Sequence, residues 1–281
     1  MSLASLKSVI DAHGLLTKKS LGQHFLLDTE LLQKIVRLAG DLRGVHVIEV
    51  GPGPGGLTRA LLASECASVT AIEMDRRCTP ILQELMQHFS KPFTFHEADA
   101  LTFDMQQIAA PRAIVANLPY NVGTELIAQW LQHIAADPTS YRSITVMLQK
   151  EVAARIAAPA GSKTYGRMSV IAQWLCNADI VIDVPPEAFL PPPKVMSSVL
   201  RLVPRALPRA LPRAPANLHA LEKVVAAAFN QRRKMLRKAL GSLGVDAAAL
   251  CAKADIDETL RAEQCSVEMF CALANAFNVL R

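Results

Sequence analysis

The sequence has no run of eighteen consecutive apolar residues anywhere in its 281 residues. A membrane-spanning helix needs about 20 such residues, so we expect no membrane segment and no membrane partner. Residues 1–20 also lack the long apolar segment and the small-residue cleavage site of a secretion signal. These absences predict a cytoplasmic protein.

The cysteine and histidine patterns that mark metal sites are missing as well. None of the six cysteines forms a C-x-x-C pair, and none of the seven histidines belongs to an H-E-x-x-H pattern. We therefore predict reduced thiols, no disulfide framework and no metal site.

Basic residues outnumber acidic residues only in the last quarter of the chain. Residues 1–203 hold 18 Lys and Arg against 18 Asp and Glu, whereas residues 204–281 hold 12 against 7. The net charge of +5 therefore comes wholly from the C-terminal part. A neutral N-terminal part followed by a basic C-terminal part favours a polyanionic partner. The alternative, which stays open, is that the basic helices only keep the protein soluble.

Strand-like and helix-like segments alternate through the first half of the chain, which predicts an α/β fold with a doubly wound parallel sheet. Two later strands, 178–184 and 197–203, have no helix between them, so we expect an antiparallel hairpin at the edge of the sheet. The alternating strands are 45–50, 69–73, 93–96, 113–116 and 143–148, and the helices are 29–39, 57–64, 78–89, 122–134 and 149–157.

A tandem Pro-Arg-Ala-Leu repeat runs from Pro204 to Pro215. Proline at every fourth residue prevents a stable helix and favours an extended linker. The predicted division is a domain of residues 1–203, a linker of residues 204–215 and a helical domain of residues 216–281.

A glycine-rich turn follows the first predicted strand. Gly51, Gly53 and Gly56 fit G-x-G-x-x-G before a helix, an arrangement that brings a ligand close to the backbone and to free N–H groups. Glu73 ends the second strand, 22 residues after Gly51, where a carboxylate can accept hydrogen bonds from both ribose hydroxyls. These features do not separate a dinucleotide from S-adenosylmethionine, and a tight turn without a ligand stays open.

Two further strand ends favour S-adenosylmethionine. Asp99 follows the third strand, where its carboxylate can accept from an adenine amine, although such an Asp is often a helix N-cap. The fourth strand ends in Asn117-Leu118-Pro119-Tyr120, beyond the carboxyl ends of the strands where such sheets bind ligands. The amide and backbone carbonyls of this segment can accept hydrogen bonds from the exocyclic amine of a planar base, and the Tyr120 ring can cover the face of that base. The alternative is an ordinary strand end with a polar residue.

Seven motifs, spread from about residue 18 to residue 240, resemble those of the rRNA adenine N6-dimethyltransferase family. The last two are most similar to the bacterial small-subunit (16S) members, while the Pro-Arg-Ala-Leu repeat is not a family feature. The motifs are GQHFL at 22–26, EVGPG at 49–53, IEMD at 72–75, DA at 99–100, NLPY at 117–120, FLPPPKV at 189–195 and FNQRRK at 229–234.

The resemblance implies a Rossmann-like class I methyltransferase sheet with a small C-terminal all-α domain, and S-adenosylmethionine as the cofactor. His24 stands where many relatives carry Asn, and either side chain can hydrogen-bond to the methionine end of the cofactor. The residues implied to hold the cofactor are His24, Leu26, Gly51, Glu73, Asp99 and Asn117.

The resemblance also implies an activity: methylation of N6 on two adjacent adenosines in the 3′-terminal hairpin loop of 16S rRNA, by a monomer acting on the immature small subunit. Asn117 and the Leu118 carbonyl would accept the amine protons, and Tyr120 would stack on the base. Phe189 would close the other face, unless it is a core residue beside prolines. The implied catalytic residues are Asn117, Leu118, Pro119, Tyr120 and Phe189.

A cluster of basic residues lies near the end of a helix predicted over 217–240, which Gly241 would terminate. Helical spacing would place residues 233, 234, 237 and 238 on one face, as a stripe that follows rRNA phosphates. A solvated helix face is the alternative. The cluster is Arg232, Arg233, Lys234, Arg237 and Lys238, and Lys18, Lys19 and Lys194 would extend it.

Three other functions remain open from the sequence. The first is a large-subunit rRNA methyltransferase of the macrolide-resistance type, although that group more often carries Ile at the position of Leu118. The others are a ribosome assembly factor that acts mainly by binding and a nicotinamide-dependent dehydrogenase.

Overall fold

The structure, a computed structural model, describes residues 3–15, 24–205 and 217–281. Its strands are β1 (Phe25–Leu26), β2 (His46–Val50), β3 (Ser68–Glu73), β4 (Phe93–Glu97), β5 (Arg112–Asn117), β6 (Ile144–Gln149), β7 (Cys176–Val184), β8 (Phe189–Leu190) and β9 (Ser197–Pro204). Its helices are α1 (Leu6–Ala12), α2 (Thr29–Leu38), α3 (Gly56–Leu62), α4 (Thr79–His88), α5 (Gly123–Ala136), α6 (Lys150–Ile156), α7 (Arg167–Leu175), α8 (Leu218–Asn230), α9 (Leu236–Ala239), α10 (Ala247–Ala254) and α11 (Val267–Leu280). In these ranges no helix is both long and apolar enough to cross a membrane.

The main sheet has seven strands in the order β4-β3-β2-β5-β6-β9-β7. Its first five strands pair in parallel, and β9 pairs antiparallel to β6. The strand order reverses between β2 and β5. The chain adds β3 and β4 on one side of β2, and then adds β5 and β6 on its other side. Ligands bind such sheets outside the carboxyl ends of the strands at this reversal. The predicted α/β fold with a doubly wound sheet is confirmed.

The central strands are buried on both faces. Val47 and Ile48, which point to opposite sides of β2, are both fully buried. A parallel sheet needs this double cover because its helical crossovers pack on both faces. Trp130 of α5 is likewise fully buried, and the result is a rigid support for the loops at the carboxyl ends of the strands.

A second, two-stranded sheet joins segments that are far apart in the chain. β1 pairs antiparallel with β8, with Phe25 opposite Leu190 and Leu26 opposite Phe189. This pairing fixes the segment that carries His24 to the proline-rich segment before β9. Two of the sequence motifs therefore meet in space.

The chain divides into two compact units. The first comprises residues 1–133, 139–153 and 179–203, and the second comprises residues 134–138, 154–178 and 204–281. Within the second unit α7 packs on α8 and α11, and α10 packs on α11. The predicted linker lies almost wholly outside the described residues, and the predicted domain bounds stay a prediction.

The predicted helix over 217–240 is wrong, because α8 ends at Asn230 and α9 begins only at Leu236. Between them Met235 has an extended backbone and forms a bridge with Arg261, and the Leu236 N–H donates to the Leu260 carbonyl at 2.7 Å. Pairing with a distant segment thus overrides local helix propensity. The predicted single-face stripe of basic residues does not form, since the residues before α9 are not helical.

Candidate active site

A cavity of about 220 Å³ lies at the carboxyl ends of the parallel strands in the first unit. It is bounded by the ends of β2, β3 and β5 and by the residues after β4, which is where the topology predicts a ligand site. The predicted site residues that line it are His24, Gly51, Glu73, Asp99, Asn117, Leu118, Pro119 and Tyr120.

The glycine-rich turn after β2 has a backbone that only glycine adopts without strain. Gly51, Gly53 and Gly55 have φ angles of 66°, 53° and 79°. A Cβ on Gly53 would lie 2.9 Å from Cε1 of Phe25, and one on Gly55 would lie 2.6 Å from Cδ1 of Leu85. The turn therefore packs against its neighbours and keeps its backbone facing the cavity.

Glu73 holds this turn in place from the end of β3. Its two carboxylate oxygens accept hydrogen bonds from the backbone N–H groups of Gly53, at 3.1 Å, and Asp75, at 2.8 Å. Burial raises the pKa of the Glu73 carboxyl, and the backbone hydrogen bonds oppose that rise. Each oxygen keeps a second lone pair with which it can accept a hydroxyl hydrogen from the cavity.

Asp99 combines a local role with an exposed position at the cavity. One oxygen accepts the Leu101 N–H at 2.9 Å and stabilises the turn after β4. No helix begins at this turn, so Asp99 is not the helix N-cap that remained open from the sequence. The side chain is exposed and lines the cavity, and the structure gives its second oxygen no partner in the described ranges. That oxygen is available to an amine.

Asn117 places an amide at the end of β5 with a fixed orientation. Its Nδ2 donates to the His24 carbonyl at 3.1 Å. Within the part of the chain that the structure describes, no donor reaches Oδ1 of Asn117. The Leu118 N–H donates to the Met147 carbonyl of β6 at 3.3 Å, so the strand remains paired as it enters the cavity.

His24 is held from the opposite side by the proline-rich segment. Its Nδ1 lies 2.7 Å from the Pro191 carbonyl, which only accepts hydrogen bonds, so Nδ1 carries the proton. In the neutral ring Nε2 then has a free lone pair. An amino group in the cavity can donate to that nitrogen.

Tyr120 is anchored through its hydroxyl group. The Tyr120 hydroxyl lies 2.6 Å from Oγ of Ser197, which is fully buried at the start of β9. Burial raises the pKa of the Tyr120 phenol, so the ring stays neutral. The Tyr120 ring lies 5.5 Å from the His24 ring, with 32° between their planes.

Two predicted site residues are not among those that line the cavity. Leu26 and Phe189 are buried opposite each other in the β1–β8 pair and belong to the hydrophobic core. Phe25, next to Leu26, lines the cavity instead. The cofactor role of Leu26 and the base-covering role of Phe189 stay predictions.

A family model described as ribosomal RNA adenine dimethylase matches residues 14–279, which is nearly the whole chain. The chain belongs to this family. The predicted family resemblance is therefore confirmed. Within this family the chain is 53% identical to the ribosomal RNA small subunit methyltransferase A of Jannaschia sp. (strain CCS1), over 97% of this chain and 93% of that protein. It is also 53% identical to the protein of the same name from Brucella canis (strain ATCC 23365 / NCTC 10854 / RM-666), over 98% of both chains.

Solved structures have the same fold as this adenine dimethylase family chain. A dimethyladenosine transferase from Plasmodium falciparum superposes with a TM-score of 0.76 at 23% identity, over 91% of this chain and 98% of that one. The 23S rRNA methyltransferase ErmE superposes with a TM-score of 0.70 at 25% identity, over 90% and 99% of the two chains. The predicted class I methyltransferase fold is confirmed.

The basic cluster of this family member divides into paired and exposed cations. Arg232 lies 3.7 Å from Glu263 and donates to the Lys163 carbonyl at 2.7 Å, and Arg237 lies 3.5 Å from Glu258. Arg233, Lys234 and Lys238 are exposed. The predicted RNA contacts of all five residues stay a prediction, and Lys18 and Lys19 lie outside the described residues.

Sequence reasoning missed two supports of the site. Ser197, which holds Tyr120, is 77 residues away in the chain and carries no local signal. Glu49, one residue before the end of β2, is fully buried and accepts a hydrogen bond from the Thr58 hydroxyl at 2.7 Å. An acidic residue inside an apolar strand is the signal that predicts such a buried carboxyl, and burial raises its pKa to about 8.

Proposed function

We propose that this protein transfers methyl groups from S-adenosylmethionine to N6 of two adjacent adenosines in the 3′-terminal hairpin loop of small-subunit rRNA. The substrate is the immature small ribosomal subunit in the cytoplasm, and the enzyme acts as a monomer. The proposal agrees with the family and with the printed names of the relatives that are about 50% identical over the whole chain.

One observation carries the proposal: the Asn-Leu-Pro-Tyr segment lines the same cavity as Glu73 and Asp99. The acidic residues suit a nucleoside, because one can accept from hydroxyls and the other from an amine. The segment after β5 suits the amine of a second planar base. A methyl donor and an adenine acceptor can therefore be held side by side.

The residues of the cavity fit S-adenosylmethionine. The glycine turn exposes its backbone to the cavity, and at Gly53 a Cβ would collide with Phe25. Glu73 orients that turn by accepting a hydrogen bond from the Gly53 N–H. His24 presents Nε2 to the amino group of the methionine end, and Asn117 keeps the His24 carbonyl in place. Leu26 would contribute through the backbone beside Phe25.

When bound, S-adenosylmethionine supplies an activated methyl group, so the chain's task is mainly to position the acceptor. The free Oδ1 of Asn117 and the Leu118 carbonyl accept the two N6 protons of the adenine. These bonds favour a pyramidal nitrogen, whose lone pair is then more available. Tyr120 stacks on the base, and the hydrogen bond between its hydroxyl and Ser197 fixes the position of the ring. Phe189 would cover the other face only after it leaves its core position.

The direct test is incubation of the protein with labelled S-adenosylmethionine and under-methylated small subunits, followed by mapping of the modified nucleotides. We expect label only in two adjacent adenosines of the 3′-terminal hairpin, as N6,N6-dimethyladenosine. Label in large-subunit rRNA would instead support the macrolide-resistance activity, for which the likeness to the ErmE structure is the only argument.

The alternative of an assembly factor needs a different measurement. A variant that lacks methyl transfer is introduced into cells without the native protein, and subunit maturation is followed. If the variant restores maturation fully, binding is the main role of the protein. If it restores none, methylation is.

A further inference from the structure

A second recess lies in the C-terminal helical unit, apart from the residues of the methyltransferase cavity. It has a volume of about 720 Å³, within the range of about 300–1,000 Å³ typical of ligand sites. It is bounded by residues of α7, α8 and α11 and by the segment after α9. Nothing in the catalytic proposal uses it.

The cations around this recess have no acidic partners. Arg167, Lys223 and Arg281 line it, and none of its lining residues is acidic. In the described part of the chain no Asp or Glu side chain forms an ion pair with any of these three cations. Arg232 and Arg237 in the same unit are instead paired with Glu263 and Glu258. Cations left unpaired around one recess favour an anionic ligand.

The floor of the recess is apolar and aromatic. Phe229 and Phe277 line it, and the Phe229 ring is fixed by stacking on Phe270, with the ring centroids 5.7 Å apart. The exposed amide of Asn230 stands at its rim. Phosphates suit the cations, an unstacked base suits the apolar floor, and an amide can read a base edge.

We propose that this recess binds a phosphate and one unstacked nucleotide of the rRNA substrate, as a docking site separate from the catalytic cavity. The proposal rests on the proposed rRNA activity. Asn230 ends α8, so the recess is continuous in the chain with Arg233 and Lys234, which are exposed beyond it. One RNA strand can contact both.

The test compares binding of wild-type and variant protein to protein-free small-subunit rRNA over a range of salt concentrations. The variant R167Q/K223Q removes two cations from the recess, and K34Q/K253Q removes two exposed cations elsewhere. We expect R167Q/K223Q to bind about tenfold more weakly and to reduce the salt slope by about 1, because the recess is proposed to contact one phosphate and each phosphate contact contributes roughly one. The control variant and the charge-keeping variant R167K/K223R should bind as the wild type does, and all four proteins should bind S-adenosylmethionine equally.

Equal binding of R167Q/K223Q and K34Q/K253Q would overturn the proposal. So would a loss seen with intact small subunits but not with protein-free rRNA, since the occupant would then be a ribosomal protein. If R167Q/K223Q fails to fold, ultraviolet crosslinking of the wild-type protein to rRNA tests the proposal instead. We expect crosslinks at Phe229 or Phe277, and their absence would contradict the proposal. Wild-type protein that does not methylate small subunits would contradict the proposed function instead.

Discussion

At the scale of single residues, the site consists of side chains whose partners fix their orientation. Asn117, His24 and Tyr120 each make a hydrogen bond to a group in another segment. Each side chain therefore keeps one atom or face directed to the cavity. Because its orientation is already fixed, it loses no rotamer entropy when a ligand binds. Such preorganisation is how a site gains rate from geometry.

Asn117→Ala should lower kcat by at least about a hundredfold, since the proposed acceptor of one N6 proton is lost in the transition state. The affinity for S-adenosylmethionine should fall only modestly, because in the proposed arrangement Asn117 acts on that ligand indirectly, by holding the His24 carbonyl. Single-turnover methylation and calorimetric binding measure the two effects separately. Asn177→Ala, an exposed amide on β7, serves as the control. A fully active Asn117→Ala enzyme would remove this residue from the mechanism.

Ser197→Ala should lower the methylation rate by roughly fivefold, because the hydrogen bond that orients the Tyr120 ring is worth about 1 kcal/mol. Ser198→Ala is the matched control, since its hydroxyl points to the other face of β9 and donates to Asp183 at 2.6 Å.

The double variant with Tyr120→Phe distinguishes positioning from general damage. If Ser197 acts through the Tyr120 hydroxyl, the two substitutions together should cost no more than the larger of them alone. Additive losses would show that Ser197 acts by another route.

At the scale of elements, the turn between β2 and α3 is built from glycines in the left-handed region and is held by a carboxylate from β3. Its conformation thus depends on two strands and not on the turn alone. A substitution at one position of the turn should therefore alter the conformation of the whole cofactor side of the cavity.

Gly53→Ala should weaken S-adenosylmethionine binding strongly. The positive φ costs about 1–3 kcal/mol for a residue with a Cβ, and the new methyl group would collide with the Phe25 ring. Gly44→Ala is a control with the same backbone strain, because Gly44 has a φ of 69° but no atom within 4 Å of its Cβ position. We expect similar losses of thermal stability from backbone strain, and a loss of cofactor affinity in Gly53→Ala alone. Equal affinities would contradict the role given to the turn.

The sequence predicted these elements well where local pattern decides. Alternation of strands and helices identified the sheet, and the spacing from Gly51 to Glu73 placed the glycine turn beside its carboxylate. The broken helix after Asn230 was not predictable, because the break is set by pairing with residues 260 and 261. The contact between Tyr120 and Ser197, and the burial of Phe189 against β1, are likewise long-range.

At the scale of the whole molecule, stability depends on a carboxyl buried inside the main sheet. Among the residues that the structure describes, the Glu49 carboxyl accepts a hydrogen bond from Thr58, and the nearby Glu73 carboxylate adds repulsion when both are charged. The folded protein therefore favours protonated Glu49 in conditions where the unfolded chain is ionised.

Unfolding free energy should fall as the pH rises from about 5 to 8. The pKa of Glu49 is raised from 4.5 to about 8 in the folded state, so its contribution is fully present below the lower value and is lost as the pH approaches the higher one. One such group gives a slope of at most about 1.4 kcal/mol per pH unit. Glu49→Gln keeps the acceptor for Thr58 and should flatten this dependence in thermal denaturation between pH 5 and pH 8. Glu65→Gln, at an exposed carboxylate, should leave it unchanged, and a flat wild-type profile would contradict the argument.

The pairing of β1 with β8 has a consequence for how the protein is made. Strands that lie far apart in the chain pair late, because a long loop must close first. During translation the Asn117 amide and the glycine turn emerge well before Pro191, whose carbonyl orients His24. A nascent chain can thus build most of its sheet while the methionine end of the cavity stays unfinished. Under the cofactor role proposed for His24, a polypeptide must be synthesised past the proline-rich segment before it can hold the methyl donor. Truncated translation products should therefore be inactive even when they fold.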